Sequence, residues 1–162
     1  MTEQTDPPPA LPPALAELLT GNCYCLAARR ASRRMFRLYD AMIAETGVTM
    51  SQLGAMAWIK GLRAPTVAKL SKYLDLEQSA VSRLLMPLER DGYVTRADHA
   101  RDKRKRVLAL TEKGEATVAR GAEGWAEAQR LIEAEARTDL ATLMTGLNGL
   151  AAAQELGSGP RD

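Results

Sequence analysis

The chain changes its apolar period once, and that change limits the folds open to it. Val81, Leu84, Leu85 and Leu88 repeat at helical spacing in a stretch from about Gln78 to Asp91. Asp91-Gly92 then closes the helix. Tyr93-Val94-Thr95-Arg96 and Lys105 to Leu110 read as short strands, leaving the mostly charged Ala97 to Arg104 as a long hairpin loop. The remainder reads as helix or as proline-rich segment. One hairpin cannot build a sheet with its own core, so the expected fold is mainly α with a small β-hairpin attached.

The helices carry recognisable ends. A first long helix is expected from near Asn22, as N-cap, to Gly47 as the glycine after its last turn. Leu26, Met35, Leu38, Met42 and Ile43 form its apolar side, and Arg29, Arg30, Arg33, Arg34 and Arg37 cover much of the rest. Thr49-Met50-Ser51-Gln52 has the form of a capping box. It opens a helix with Leu53, Met56, Ala57 and Leu62 inward, ending near Gly61. Pro65 and Thr66 start a short helix containing Val67, Leu70 and Leu74. The following helix should bend in its last turn at Pro87. Thr111 caps a final helical stretch with Trp125, Leu131, Ile132, Leu140, Leu143, Met144, Leu147 and Leu150 in apolar spacing and a break near Arg137–Thr138. Gly121, Gly124, Gly146 and Gly149 should weaken it by about 1 kcal/mol each. Residues 1–20, with Pro7, Pro8, Pro9, Pro12 and Pro13, read as a flexible arm, and 153–162 as a tail.

Composition narrows the chemistry. Of 162 residues, 46% are apolar and 26% charged, which suits one packed domain. Two cysteines and one histidine, His99, argue against a thiolate metal cluster and against histidine catalysis, so neither metal nor cofactor is expected. No Gly-rich phosphate loop or nucleophile–base set is visible, so an enzyme is not expected either. No apolar run approaches the roughly 18 residues of a membrane helix. The start is acidic and proline-rich, unlike a signal peptide, so the expected location is cytoplasmic and nucleoid-associated.

The net charge of +2 hides an asymmetry. Residues 1–59 carry 5 basic and 5 acidic side chains, residues 60–106 carry 12 and 6, and residues 107–162 carry 5 and 9. The basic middle coincides with the two short helices and the hairpin, the order of a winged helix-turn-helix, and is suited to a polyanion. The apolar outer helices suit a dimer, in keeping with the two-fold habit of such proteins.

Three stretches resemble the MarR family of bacterial transcription regulators. One is Leu76-Glu77-Gln78-Ser79-Ala80-Val81-Ser82-Arg83 followed by Leu88-Glu89-Arg90-Asp91-Gly92-Tyr93-Val94. Another is Asp102-Lys103-Arg104, matching the family's Asp-x-Arg element, with Leu108-Ala109-Leu110-Thr111. The third runs through Ala31-Ser32-Arg33 and Leu38-Tyr39-Asp40 to Gly47-Val48-Thr49 and Gln52. The resemblance covers residues 22–150 or so. It implies a homodimer on palindromic double-stranded DNA, with dimerisation helices at 21–48 and 111–152 and a DNA-binding lobe at 49–110. Gln78, Ser79, Ser82 and Arg83 would enter a major groove, with Thr66 beside them, and Arg96, Arg101, Asp102, Lys103 and Arg104 would form the wing contact. In the family the Asp of Asp-x-Arg orients the Arg. Arg83 could instead pair with Glu89 or Asp75.

Two readings of the signal stand side by side. In one, a small aromatic acid of the hydroxycinnamate, salicylate or indole-acetate kind releases the protein from DNA. Arg30, Arg33 or Arg34 would hold its carboxylate, and Met35, Tyr39, Met50 and Trp58 would supply the walls. In the other, Cys25 is an oxidisable thiol. It matches the reactive cysteine of the family's organic-peroxide-sensing branch, and Tyr39 matches a tyrosine that hydrogen-bonds that thiol, with Cys23 nearby. A second tyrosine of that branch falls on Met50. A winged helix used only for protein contacts is a further alternative.

Overall fold

The computed structural model describes residues 12–21, 23–99, 102–136 and 138–152, and of residues 19, 20, 99, 102–105, 151 and 152 the backbone alone. The element order is α1 Pro13–Gly21, α2 Tyr24–Met42, a 3₁₀ turn Ala44–Thr46, α3 Met50–Leu62, α4 Val67–Leu74, α5 Gln78–Arg90, β1 Val94–His99, β2 Asp102–Leu110, α6 Glu112–Glu135 and α7 Leu140–Ala152. The expectations for residues 1–11 and 153–162, and for Asn22 as a cap, lie outside the described residues.

Local chemistry explains the helix boundaries in the lobe. Thr49 Oγ1 accepts the Gln52 amide while Gln52 Oε1 accepts the Thr49 amide, so the capping box is complete. The Asp40 carboxylate accepts the Met50 amide at 2.6 Å, which satisfies a further donor at the same helix end. Thr66 caps α4 through the Lys69 amide, and Thr111 caps α6 through the Gly114 amide. Gly47 at φ 74° and Gly92 at φ 75° supply left-handed turns after α2 and α5.

Four expectations change. Residues 13–21 are helix α1 instead of flexible arm: Pro13 stands at the first helical position, where its fixed φ helps, and Ala-Leu-Ala-Glu-Leu-Leu follows. The hairpin is longer and its loop shorter than expected, because β1 reaches His99 and β2 begins at Asp102. Charge did not stop the strands, since a two-stranded ribbon leaves side chains free to reach water. On α3 it is Ala55 and Ile59 that join Leu53 and Met56 in the core, while Ala57 is exposed. The glycines of α6 are close-packing devices: a Cβ on Gly114 would lie 2.2 Å from the Tyr93 carbonyl oxygen, and one on Gly124 would lie 2.4 Å from that of Met42.

The core is one cluster in which Ile43, Leu53, Met56, Ile59, Leu70, Val81, Leu85, Leu88, Val94 and Leu108 meet. It joins the helix-turn-helix to the base of the hairpin and to the turn after α2. The Leu108 amide donates to the Pro65 carbonyl at 2.8 Å, which fixes the hairpin to the loop between α3 and α4. Outside this core the chain is unusually open. No residue of α2 is buried, and the apolar side chains Leu143, Met144, Leu147 and Leu150 of α7 are exposed.

Candidate nucleic-acid interface

The proposed reading element is the first two turns of α5. Gln78, Ser79 and Arg83 are exposed and Ser82 is half-buried, so these four remain at the surface while Val81 and Leu85 hold the helix in the core. The N-cap residue Glu77 makes no side-chain cap bond. Its carbonyl takes the amides of Ala80 and Val81, and the positive end of the helix dipole faces outward with Gln78 and Ser79. A shallow cleft between α4 and α5 is lined by Ser71, Lys72, Asp75, Gln78, Ser79 and Arg83. Asp75 makes the turn between the helices in the left-handed region, at φ 50°. Arg83 pairs with neither Glu89 nor Asp75 among the described residues, so its guanidinium is available to an anion.

The wing differs from expectation at Arg96. Its Nε donates to Glu89 Oε1 at 2.8 Å, so the strand is tied to the last turn of α5. Arg106, not singled out from sequence, lies 3.6 Å from Asp98 and donates to the Arg96 carbonyl at 3.4 Å. Alternation along β2 was the signal that could have found it. Below the wing, Lys113 donates to the Asp91 carbonyl at 2.8 Å and lies over the Tyr93 ring. Arg90 forms a two-bond pair with Asp91, which raises the arginine pKa and lowers that of the carboxyl, in both cases first through the hydrogen bond. Thr66 spends an oxygen lone pair on capping α4 and keeps its hydroxyl proton. Arg101, and the side chains of Asp102, Lys103 and Arg104, lie outside the described residues, and the pairing within Asp-x-Arg with them.

The residues expected to hold an effector lie on two elements, α2 and α3. Arg30, Arg33 and Arg34 line an open concavity on α2 with Leu26, Arg29 and Arg37. Met35 and Tyr39 lie on other sides of that helix. Met50 packs against the core, and Trp58 stacks on Tyr73 with ring centres 4.9 Å apart. The Tyr39 hydroxyl donates to Gln129 of α6, and its pKa is raised by burial and then by Glu133. Cys25 is exposed, Cys23 is partly buried at the N-cap of α2, and both are free thiols. Cys25 and Tyr39 stand fourteen residues apart on one helix, about 21 Å along its axis, so a thiol–phenol bond cannot form within one chain. Among the described residues no cluster of metal-binding side chains occurs, and no helix is long and apolar enough to cross a membrane.

Three helices around one core, a hairpin tied to their last turn, and an exposed α5 define a winged helix-turn-helix. The MarR family model matches residues 48–105, from the end of the turn after α2 to within β2. Over this span, which forms the winged lobe, the chain is similar to the MarR family. It is 31% identical to the transcriptional activatory protein BadR of Rhodopseudomonas palustris over 62% of this chain and 65% of that one. It is 27% identical to the organic hydroperoxide resistance transcriptional regulator of Bacillus subtilis over 57% of this chain and 63% of that one. The chain therefore spans just under two thirds of the length of these curated relatives. The crystal structure of the Mycobacterium tuberculosis transcriptional regulator MosR in complex with DNA superposes with a TM-score of 0.71 at 27% identity, covering 83% of this chain and all of that one.

Proposed function

We propose that this chain is a homodimeric, non-catalytic transcriptional repressor that binds palindromic double-stranded DNA. The observation that carries the reading is the α5 surface: Gln78, Ser79 and Arg83 stand exposed at the positive end of a core-anchored helix, beside a wing held by Arg96–Glu89. Its likeness to a DNA-bound MosR structure supports the same assignment. Arg83 suits a guanine or a phosphate, and the wing cations Arg101, Lys103 and Arg104 suit a minor groove or phosphates.

Replacing Arg104 with Ala should weaken operator binding and flatten its salt dependence, since one cation–phosphate contact is lost. Fluorescence anisotropy across a salt series, on a palindromic duplex and a scrambled one, checks this. An unchanged isotherm and slope would remove the wing from the interface. Equal affinity for both duplexes would favour a winged helix used for protein contacts.

For the signal, we favour an aromatic acid that shifts the dimer to a lobe spacing unfit for adjacent major grooves, which lie about 34–36 Å apart. The exposed Trp58–Tyr73 pair supports this reading, as a flat aromatic surface on which such a ring could stack. Thiol sensing by Cys25 is favoured by its exposure and by similarity to a hydroperoxide regulator. It requires Cys25 of one copy to meet Tyr39 of the other. Operator release tested with an aromatic-acid panel and with organic peroxide, each on wild type and Cys25→Ser, separates the two. A reporter assay reads the sign of regulation, which matters because the relative BadR is described as an activatory protein.

A further inference from the structure

Five arginines occupy one side of α2, and among the described residues no side chain pairs with them. At about 100° per residue, Arg29, Arg33, Arg37, Arg30 and Arg34 fall in that order within an arc of about 140°, over some 12 Å of helix. All five are exposed, and none forms an ion pair or hydrogen bond with another described residue. The sequence holds no acidic residue between Glu17 and Asp40, and the Asp40 carboxylate already accepts the Met50 amide. Three pairs in the set are spaced i,i+4 and two are spaced i,i+3, where like charges destabilise a helix. A solvated face ordinarily mixes both signs, and this one does not.

The arc has an apolar floor. Leu26 falls inside it, is 46% exposed, and lines a single concavity together with the five guanidinium-bearing side chains. The other sides of α2 have different uses. Tyr39 faces α6, where it donates to Gln129. Tyr24, Met35, Leu38 and Met42 form an apolar flank centred roughly opposite the arginines, and it is this flank that suits a second copy, since interface cores are depleted of charge. The helix packs mainly on α6 and α3.

One carboxylate is satisfied by one guanidinium in a two-bond fork. Five guanidiniums around one leucine match a ligand with several closely spaced anionic oxygens. We propose that this face of α2 binds a small polyphosphorylated molecule, with its phosphates held across Arg29, Arg30, Arg33, Arg34 and Arg37 above Leu26. The site is separate from the DNA-reading surface and its ligand class differs from an aromatic monocarboxylate.

Calorimetric titration of the full chain with tripolyphosphate, ATP, inorganic phosphate and benzoate, at one ionic strength and without divalent cations, tests it. Tripolyphosphate and ATP should saturate one site per chain at least tenfold more tightly than phosphate or benzoate. Tighter binding of ATP than of tripolyphosphate assigns an organic ligand resting on Leu26, and equal binding assigns an inorganic chain. Arg29→Gln/Arg37→Gln should weaken both at least tenfold with its helical circular dichroism intact, while Arg120→Gln/Arg130→Gln should not. Equal loss in the two variants, or affinity no better than that for phosphate, overturns the site as diffuse charge. A variant that alters the sedimentation equilibrium but not polyphosphate binding overturns it in favour of a subunit contact. Displacement of the probe by scrambled duplex DNA overturns it in favour of nucleic acid. Anisotropy with the Arg104→Ala protein reads the DNA assignment separately, so either can fail alone.

Discussion

At the scale of single residues, glycine separates two kinds of position that look alike in sequence. Gly114 has the Tyr93 carbonyl oxygen where a Cβ would stand, at 2.2 Å, and that carbonyl also takes the Thr111 amide. Backbone cannot rotate out of the way, so Gly114→Ala should lose about 1–3 kcal/mol by overpacking. Gly54, with nothing within 4 Å, should gain roughly 0.5–1 kcal/mol on replacement by Ala. Urea denaturation of the two variants checks both signs. Tyr39 gives a third test: Tyr39→Phe leaves Gln129 Oε1 without its partner and should cost about 1 kcal/mol. Little of this was legible beforehand. The caps at Thr49 and Thr111, and the helix start at Pro65-Thr66, could be read because each acts on its own backbone within three residues. Gly114, Gly121 and Gly124 could not, because what they make room for lies on other elements.

At the scale of elements, the wing and the recognition helix are joined by one ion pair. Both side chains of Arg96–Glu89 are partly exposed, and such pairs contribute about 0.2–1 kcal/mol to folding. Glu89→Gln should therefore leave the melting transition nearly in place. It should still weaken operator binding severalfold, because the wing angle relative to α5 is no longer held. The exchange Glu89→Arg/Arg96→Glu should restore part of the loss, and failure to do so would assign Arg96 to direct DNA contact instead. Helix α7 depends on a carboxylate. Asp139 accepts the Ala141 and Thr142 amides and the Thr142 hydroxyl, and these bonds lower its pKa, the hydroxyl first. A depressed carboxyl stabilises the helix above its unfolded value and loses that effect as pH falls through the folded one. The start of α7 should therefore fray in acid below about pH 4. Asp139→Asn should keep most of the cap and lose the pH dependence, as read from Ala141 and Thr142 amide shifts.

At the scale of the whole molecule, the open surface is the dominant fact. Leu143, Met144, Leu147 and Leu150 give α7 an exposed apolar surface, and Leu15 and Leu18 of α1 and Trp125 of α6 are exposed as well. Apolar area on this scale marks an interaction surface. If that surface is the dimer contact, Leu143→Asp/Leu147→Asp should yield monomers in sedimentation velocity. It should also reduce affinity for a palindrome far more than for a half-site, since two lobes must bind together.

Sequence by itself determined the element order from α2 onward, the caps at Thr49 and Thr111, the mainly α fold with one hairpin, and the family resemblance. Each rests on interactions within a few residues or on a period along one strand of chain. Tertiary structure decided the rest. It gave Arg96 to Glu89, and it stacked Trp58 on Tyr73 while Arg30, Arg33 and Arg34 line a concavity of their own. The physical reason is common to these. Contacts between elements depend on how helices rotate and cross, and a list of residue types with helical spacing does not say which side of a helix meets its neighbour.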